Sequence, residues 1–152
     1  ELPYIFRRIK NILPDLQFVI AGKGPEEEKL KAELPDAKFL GWIEHDSLPD
    51  IYSASDLLIL PSRFDTFGNV IIEAFACGCP VISYNTKGPR DIIENEKSGY
   101  LVNTKEKMAE VVISHFKKGK KREAMTEEAL ARAGDFTADS IIGKLLKDTG
   151  LA

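Results

Sequence analysis

The sequence predicts an α/β protein: a doubly wound, mainly parallel sheet with helices on both faces and further helices appended at its C-terminal end. Three observations lead there. Five short aliphatic or β-branched runs recur along the chain, three of them are almost wholly apolar, and helical stretches fall between successive runs. A strand that is apolar on both sides is built to be buried on both faces, which is the habit of parallel sheets. Strand and helix alternating over short links give the doubly wound arrangement.

Each element follows from its residues. A helix is expected over Ile5 to Leu13, directly after the opening Glu1 to Tyr4. The strands are expected at Gln17 to Ala21, Ala37 to Leu40, Leu57 to Leu60, Pro80 to Tyr84 and Gly99 to Val102. The helices that follow them are expected at Glu26 to Leu34, Ser47 to Ser55, Phe67 to Cys77, Arg90 to Asn95 and Glu106 to Lys118. Ser47 with Asp50 resembles a capping box. Gly78 stands where a helix stops, with Pro80 just beyond. After Gly119 the composition changes, and Glu123 to Ala133 and Ser140 to Lys147 read as helices with no further strand. These divide the chain into a sheet domain over 1–118 and a helical extension of the same domain over 119–152.

A chain of 152 residues with 43% hydrophobic and 30% charged residues suits one globular domain with a real core. The formal net charge of -3 excludes a general polyanion binder, and no nucleic-acid partner is expected. The basic cluster of Lys117, Lys118, Lys120, Lys121 and Arg122 lies beside acidic stretches and reads as a solvated helix face, with anionic lipid as the alternative contact. Cys77 and Cys79 are too close for an easy disulfide and too few for a zinc site, and read as small core residues of a reducing compartment. No signal peptide or membrane-spanning run is visible. The opening residue, Glu1, suggests a fragment or a processed product.

In a doubly wound sheet, ligands bind beyond the carboxyl ends of the strands. The informative stretch there runs from Pro61 to Pro80. A strand ends, a loop carries Asp65, and a helix begins near Phe67 and Gly68. The free N–H groups of Gly68, Asn69 and Val70 then face the crevice, where a helix start attracts phosphate. Glu73 follows one turn on, along the same face as Asn69, which is about 5.4 Å, close to the step from a diphosphate to the adjoining ribose. Its neighbours Ile71, Ile72, Ala74 and Phe75 make an unpaired carboxylate there expensive. Taken alone, Asp65 reads equally well as a cap or turn residue.

The whole block, Pro-Ser, acid, Phe-Gly, Glu-Ala, Cys-Gly and Pro-Val, resembles the signature of retaining glycosyltransferases of family 4, which have the two-domain GT-B fold. That resemblance implies a Rossmann-like donor-binding domain. It gives Asp65 the contact to the transferred sugar, Glu73 the ribose, and Gly68, Asn69 and Val70 the diphosphate. Both acids are usually Glu in that family, and Asp65 is one methylene shorter. Gly22 and Gly24, in Ala21 to Pro25, are similar to the family's glycine turn. Trp42 and Ile43, after Phe39 to Gly41, are similar to its base-binding strand end. Leu48, Tyr52 and Asp56 also match in type and order. The likeness covers roughly residues 12 to 103. It implies a glycosyltransferase of hexosyltransferase type, acting in polysaccharide or glycoconjugate biosynthesis at the cytoplasmic side. The donor would be a UDP-, GDP- or ADP-sugar, with no cofactor and no metal. A strand that supplies an Arg and a Lys to the diphosphate, and an N-terminal acceptor domain, would lie outside this chain, which alone would be inactive. Peripheral membrane association of the full-length protein is a further expectation.

Other readings stay open. A non-catalytic nucleotide or nucleotide-sugar binding module is the main alternative, and a sugar-nucleotide epimerase on a similar fold a third. Gly22-Lys23-Gly24 lacks the third glycine of a dinucleotide fingerprint and reads as a turn. Trp42 is either a stacking surface for a base or a core aromatic; the core is slightly favoured, with Ile43 and the backbone as the better base contacts. Lys87 to Arg90 either faces the donor or makes a plain turn into a helix. His45 and His115 have no partner at catalytic or metal-binding spacing.

Overall fold

The computed structural model describes residues 1–64, 68–117, 119–137 and 139–140. All five expected strands form: β1 (Val19–Ala21), β2 (Lys38–Gly41), β3 (Leu58–Leu60), β4 (Val81–Tyr84) and β5 (Gly99–Val102). The helices are α1 (Leu2–Lys10), α2 (Glu27–Glu33), α3 (Leu48–Ser53), α4 (Asn69–Ala76), α5 (Pro89–Ile92), α6 (Lys105–Lys117) and α7 (Gly119–Ala133). Every strand pairing is parallel, but the strands form two sheets: β1 with β2, and β3–β4–β5 with β4 in the centre. β4 pairs Val81 with Leu58 on one side and with Gly99 on the other. All four β4 residues are buried, as a central strand without polar alternation requires.

Two cores flank this sheet. On one side Ile5 and Ile9 of α1 meet Ile82, Tyr84, Val102 and the α6 residues Met108, Ala109 and Val112. On the other, Ile71, Ala74 and Phe75 of α4 meet Val81, Cys79, Tyr52 and Ala129 of α7. Fully burying a side chain such as Phe75 contributes about 1.5–3 kcal/mol. Helices therefore lie on both faces, and α7 packs on α4.

Several local expectations shift. α1 starts at Leu2, ahead of the expected Ile5, because Pro3 in the first turn has no N–H to lose and a preset φ. The expected capping box at Ser47 does not form: Ser47 ends a 3-10 turn over His45–Ser47 and its side chain makes no cap bond to α3. α5 is a single turn, since Ile93 is already extended. The C-terminal stop of α4 is as expected. Gly78 takes φ +71°, its N–H donates to the Phe75 carbonyl at 2.9 Å, and the Cys79 N–H donates to Ala74 at 2.9 Å. The helix expected from Ser140 to Lys147 falls outside the described residues beyond Ser140. Among the described residues no helix is long and apolar enough to cross a membrane.

Candidate functional site

The site is built around the amino end of α4. β3 delivers the chain to Pro61, and α4 starts at Asn69 behind a buried Gly68 with φ +78°. A Cβ on Gly68 would stand 2.8 Å from Cδ1 of Ile92 and 3.2 Å from Cδ1 of Ile71. Only glycine fits between α5 and the first turn of α4 while holding a left-handed backbone. The amides of Ile71 and Ile72 turn back to the Gly68 carbonyl at 2.8 and 3.3 Å. Asn69 and Val70 precede them at the exposed tip, where helix geometry supplies no intrahelical acceptor for their N–H groups. Asp65, with Thr66 and Phe67, lies outside the described residues.

Glu73 is half-buried one turn further in, between the buried Ile71 and Ala74. The hydroxyl of Tyr52 donates to its Oε2 at 3.3 Å. Burial, with the adjacent Glu73 carboxylate, pushes the Tyr52 phenol up to about 12, so it remains a donor at neutral pH. The carboxylate embedded in an apolar helix is thus anchored on the protein side, and a face of it stays accessible.

The turn after β1 and the end of β2 are joined, with the Gly22 N–H donating to the Gly41 carbonyl at 2.7 Å. Gly22 and Gly24 are both exposed there. Trp42 corrects the expectation of a core aromatic: it is 67% exposed, and its indole N–H donates to Glu44 at 3.1 Å. The side chain leaves the strand end pointing outward, so no core forms around it. Ile43 beside it is half-buried. No hydrogen bond or ion pair among the described residues joins the Trp42–Ile43 pair directly to Glu73. The connection runs through α3, which follows that strand end and packs on α4.

A cluster at the end of β3 escapes sequence reasoning. Arg63 lies over the Tyr84 ring, 4.2 Å from its centroid, and pairs with Glu1 at 3.0 Å. The Tyr84 hydroxyl also donates to Glu1. That bond, with Arg63, holds the Glu1 carboxyl below its usual range. Glu1, Arg63 and Pro61 line an open depression of about 650 Å³ with Glu26, Lys29 and Lys105. The end of β3, the start of α1 and the α2 segment therefore border one hollow. Glu73, one turn from the exposed Asn69, does not line it. The only advance signal for Arg63 was its place between Ser62 and Asp65. Arg7, also on this hollow, pairs with Glu33 at 3.0 Å.

The remaining candidates are structural. Cys79 is buried, and burial pushes its thiol up to about 12, which leaves it an unreactive core residue. His115 is buried against Tyr100, and burial lowers its pKa. His45 is exposed in the 3-10 turn. Arg90 is exposed on α5, while Gly88 and Pro89 are buried as a turn into it. Among the described residues no group of His, Cys, Asp and Glu side chains is placed to hold a metal ion.

Comparison with known proteins agrees with this architecture. The family model described as glycosyl transferases group 1 matches residues 4–132. A GDP-mannose-dependent alpha-mannosyltransferase of Mycolicibacterium smegmatis is 32% identical over 133 residues, 85% of this chain and 36% of that protein. The fold is that of the pneumococcal O-GlcNAc transferase GtfA, solved with UDP and GlcNAc, at a TM-score of 0.82 and 24% identity over 97% of this chain and 31% of that one. It also matches the C-terminal domain of a group 1 glycosyl transferase (LpcC) from Francisella tularensis, at a TM-score of 0.74 and 23% identity, covering 88% of this chain and 77% of that one. The chain thus spans about a third of the length of the mannosyltransferase. With the family model matching most of its residues, the chain belongs to the group 1 glycosyl transferases.

Proposed function

We propose that this chain is the donor-binding domain of a glycosyltransferase that moves a sugar from a nucleoside-diphosphate sugar to an acceptor with retained anomeric configuration. The observation that carries the proposal is the amino end of α4. A Gly68-capped first turn presents amides at an exposed tip, and a half-buried, anchored Glu73 lies one turn inward. Such a start stabilises the diphosphate and the charge that grows on it as the sugar leaves. Glu73 accepts hydrogen bonds from the ribose, Trp42 and Ile43 meet the base, and Asp65 meets the donor sugar. The exposed Trp42 face supports stacking with the base.

The names of the relatives support this donor class: one protein uses GDP-mannose, and another was solved with UDP. UDP, GDP and ADP remain the candidate leaving groups. The likeness to a separately solved C-terminal domain, and the chain's share of its relatives' length, support an acceptor-binding domain elsewhere in the full-length protein. The separation of β1–β2 from β3–β4–β5 supports a further strand in that protein.

Titration calorimetry with UDP, GDP and ADP tests the reading. At least one of them binds, and Glu73→Gln weakens it by ~1–3 kcal/mol, as expected for loss of charge-assisted hydrogen bonds. Unchanged affinity would remove Glu73 from the site and the reading with it.

A further inference from the structure

We propose that Tyr52 is a positioning residue for the nucleotide site, orienting the Glu73 carboxylate for the ribose through its hydroxyl. The inference rests on the reading of Glu73 as the ribose ligand and adds to it a residue on a different element. The half-buried Glu73 has a flexible side chain, among those that lose most rotamer freedom when fixed. Among the described residues Tyr52 is the sole hydrogen-bond partner of that side chain, through Oε2, so the other carboxylate oxygen remains for a ligand. Tyr52 is itself fixed: the residue is 8% exposed and packs in the core with Ile71, Ala74 and Phe75 of α4. A rigid phenol donating to a carboxylate is a charge-assisted bond with defined direction. At 3.3 Å it is longer than an ordinary hydroxyl contact of about 2.7–2.8 Å. Contacts of this kind tighten when a ligand fixes the acceptor.

The place of Tyr52 in the chain adds to this. α3 follows the Trp42–Ile43 strand end through the His45–Ser47 turn and packs against α4. One short segment therefore carries the proposed base contacts at its start and the anchor of the ribose ligand at its end. A tyrosine that merely fills the core would be replaceable by phenylalanine without effect on ribose recognition, and that difference is measurable.

The test is calorimetry on wild type, Tyr52→Phe, Glu73→Gln and the double variant, with UDP, GDP and ADP and with their 2′-deoxy forms. Wild type prefers the ribonucleotide. Tyr52→Phe weakens the ribonucleotide by about three- to tenfold and the 2′-deoxy form by less than about twofold, so the preference shrinks. The double variant binds like Glu73→Gln alone, because the hydroxyl acts through that carboxylate. Equal losses for both nucleotide forms, or losses that add to those of Glu73→Gln, would show a packing role and overturn the inference. So would an unchanged Tyr52→Phe beside a weakened Glu73→Gln, which leaves the functional reading intact. Absence of wild-type binding, or a silent Glu73→Gln, overturns that reading and this inference together. If Tyr52→Phe lowers stability, the ribo-to-deoxy ratio still decides, since a partly unfolded chain loses both affinities alike.

Discussion

At the scale of single residues, Gly68 and Glu73 shape the proposed site in different ways. Gly68 holds a left-handed backbone that a side chain would strain, and a Cβ there would force the Cδ1 of Ile92 to shift. Gly68→Ala is expected to cost ~1–3 kcal/mol of stability, read by chemical denaturation, because overpacking is added to a left-handed φ. An unchanged midpoint would mean that α5 gives way freely. That Glu73 needs a partner was legible from sequence, because it stands among Ile71, Ile72, Ala74 and Phe75. The identity of that partner was not, since Tyr52 lies on another element and only tertiary packing brings its hydroxyl to Oε2. Trp42 misled for a related reason: an aromatic at a strand end suits a core or a surface equally, and its exposure depends on what packs above it.

At the scale of elements, the five strands were readable as short aliphatic or β-branched runs, three of them almost wholly apolar, with helical stretches between them. The split into two sheets was not, because pairing partners are set by long-range geometry. Helix ends were readable where a residue type forces them, as at Gly78, and misread where a polar side chain had alternatives, as at Ser47. The joining of α7 to α5 also belongs to this scale. Arg132 donates to the carbonyls of Ile92 at 2.8 Å and Asp91 at 3.1 Å, and to Asp135 at 2.7 Å. Arg132→Ala is expected to lower unfolding stability by ~1–3 kcal/mol, since the carbonyl of the buried Ile92 loses its donor. Lysine will not restore it, because one ammonium cannot span this fork. Full rescue by Arg132→Lys in a denaturation series would contradict the geometry.

At the scale of the whole molecule, burial couples stability to pH through His115. Its pKa is lowered by burial, with Arg122 adding to the effect. The unfolded chain therefore binds the proton more readily than the folded one. The contribution is fully present above the unfolded histidine value of about 6.5 and is lost as pH falls from there through the folded value. The thermal midpoint is expected to drop between pH 7 and pH 5.5, and His115→Phe to flatten that slope. An identical slope in the variant would place the effect elsewhere.

The burial pattern leaves the α4 tip, at the exposed Asn69 and Val70, open to a ligand. An amide-resolved NMR titration with UDP, GDP and ADP tests this most directly. The account predicts that resonances from Gly68 to Glu73 move first and furthest with at least one of the three nucleotides. Shifts confined to Gly22–Pro25, or no shift at any of them, would contradict it.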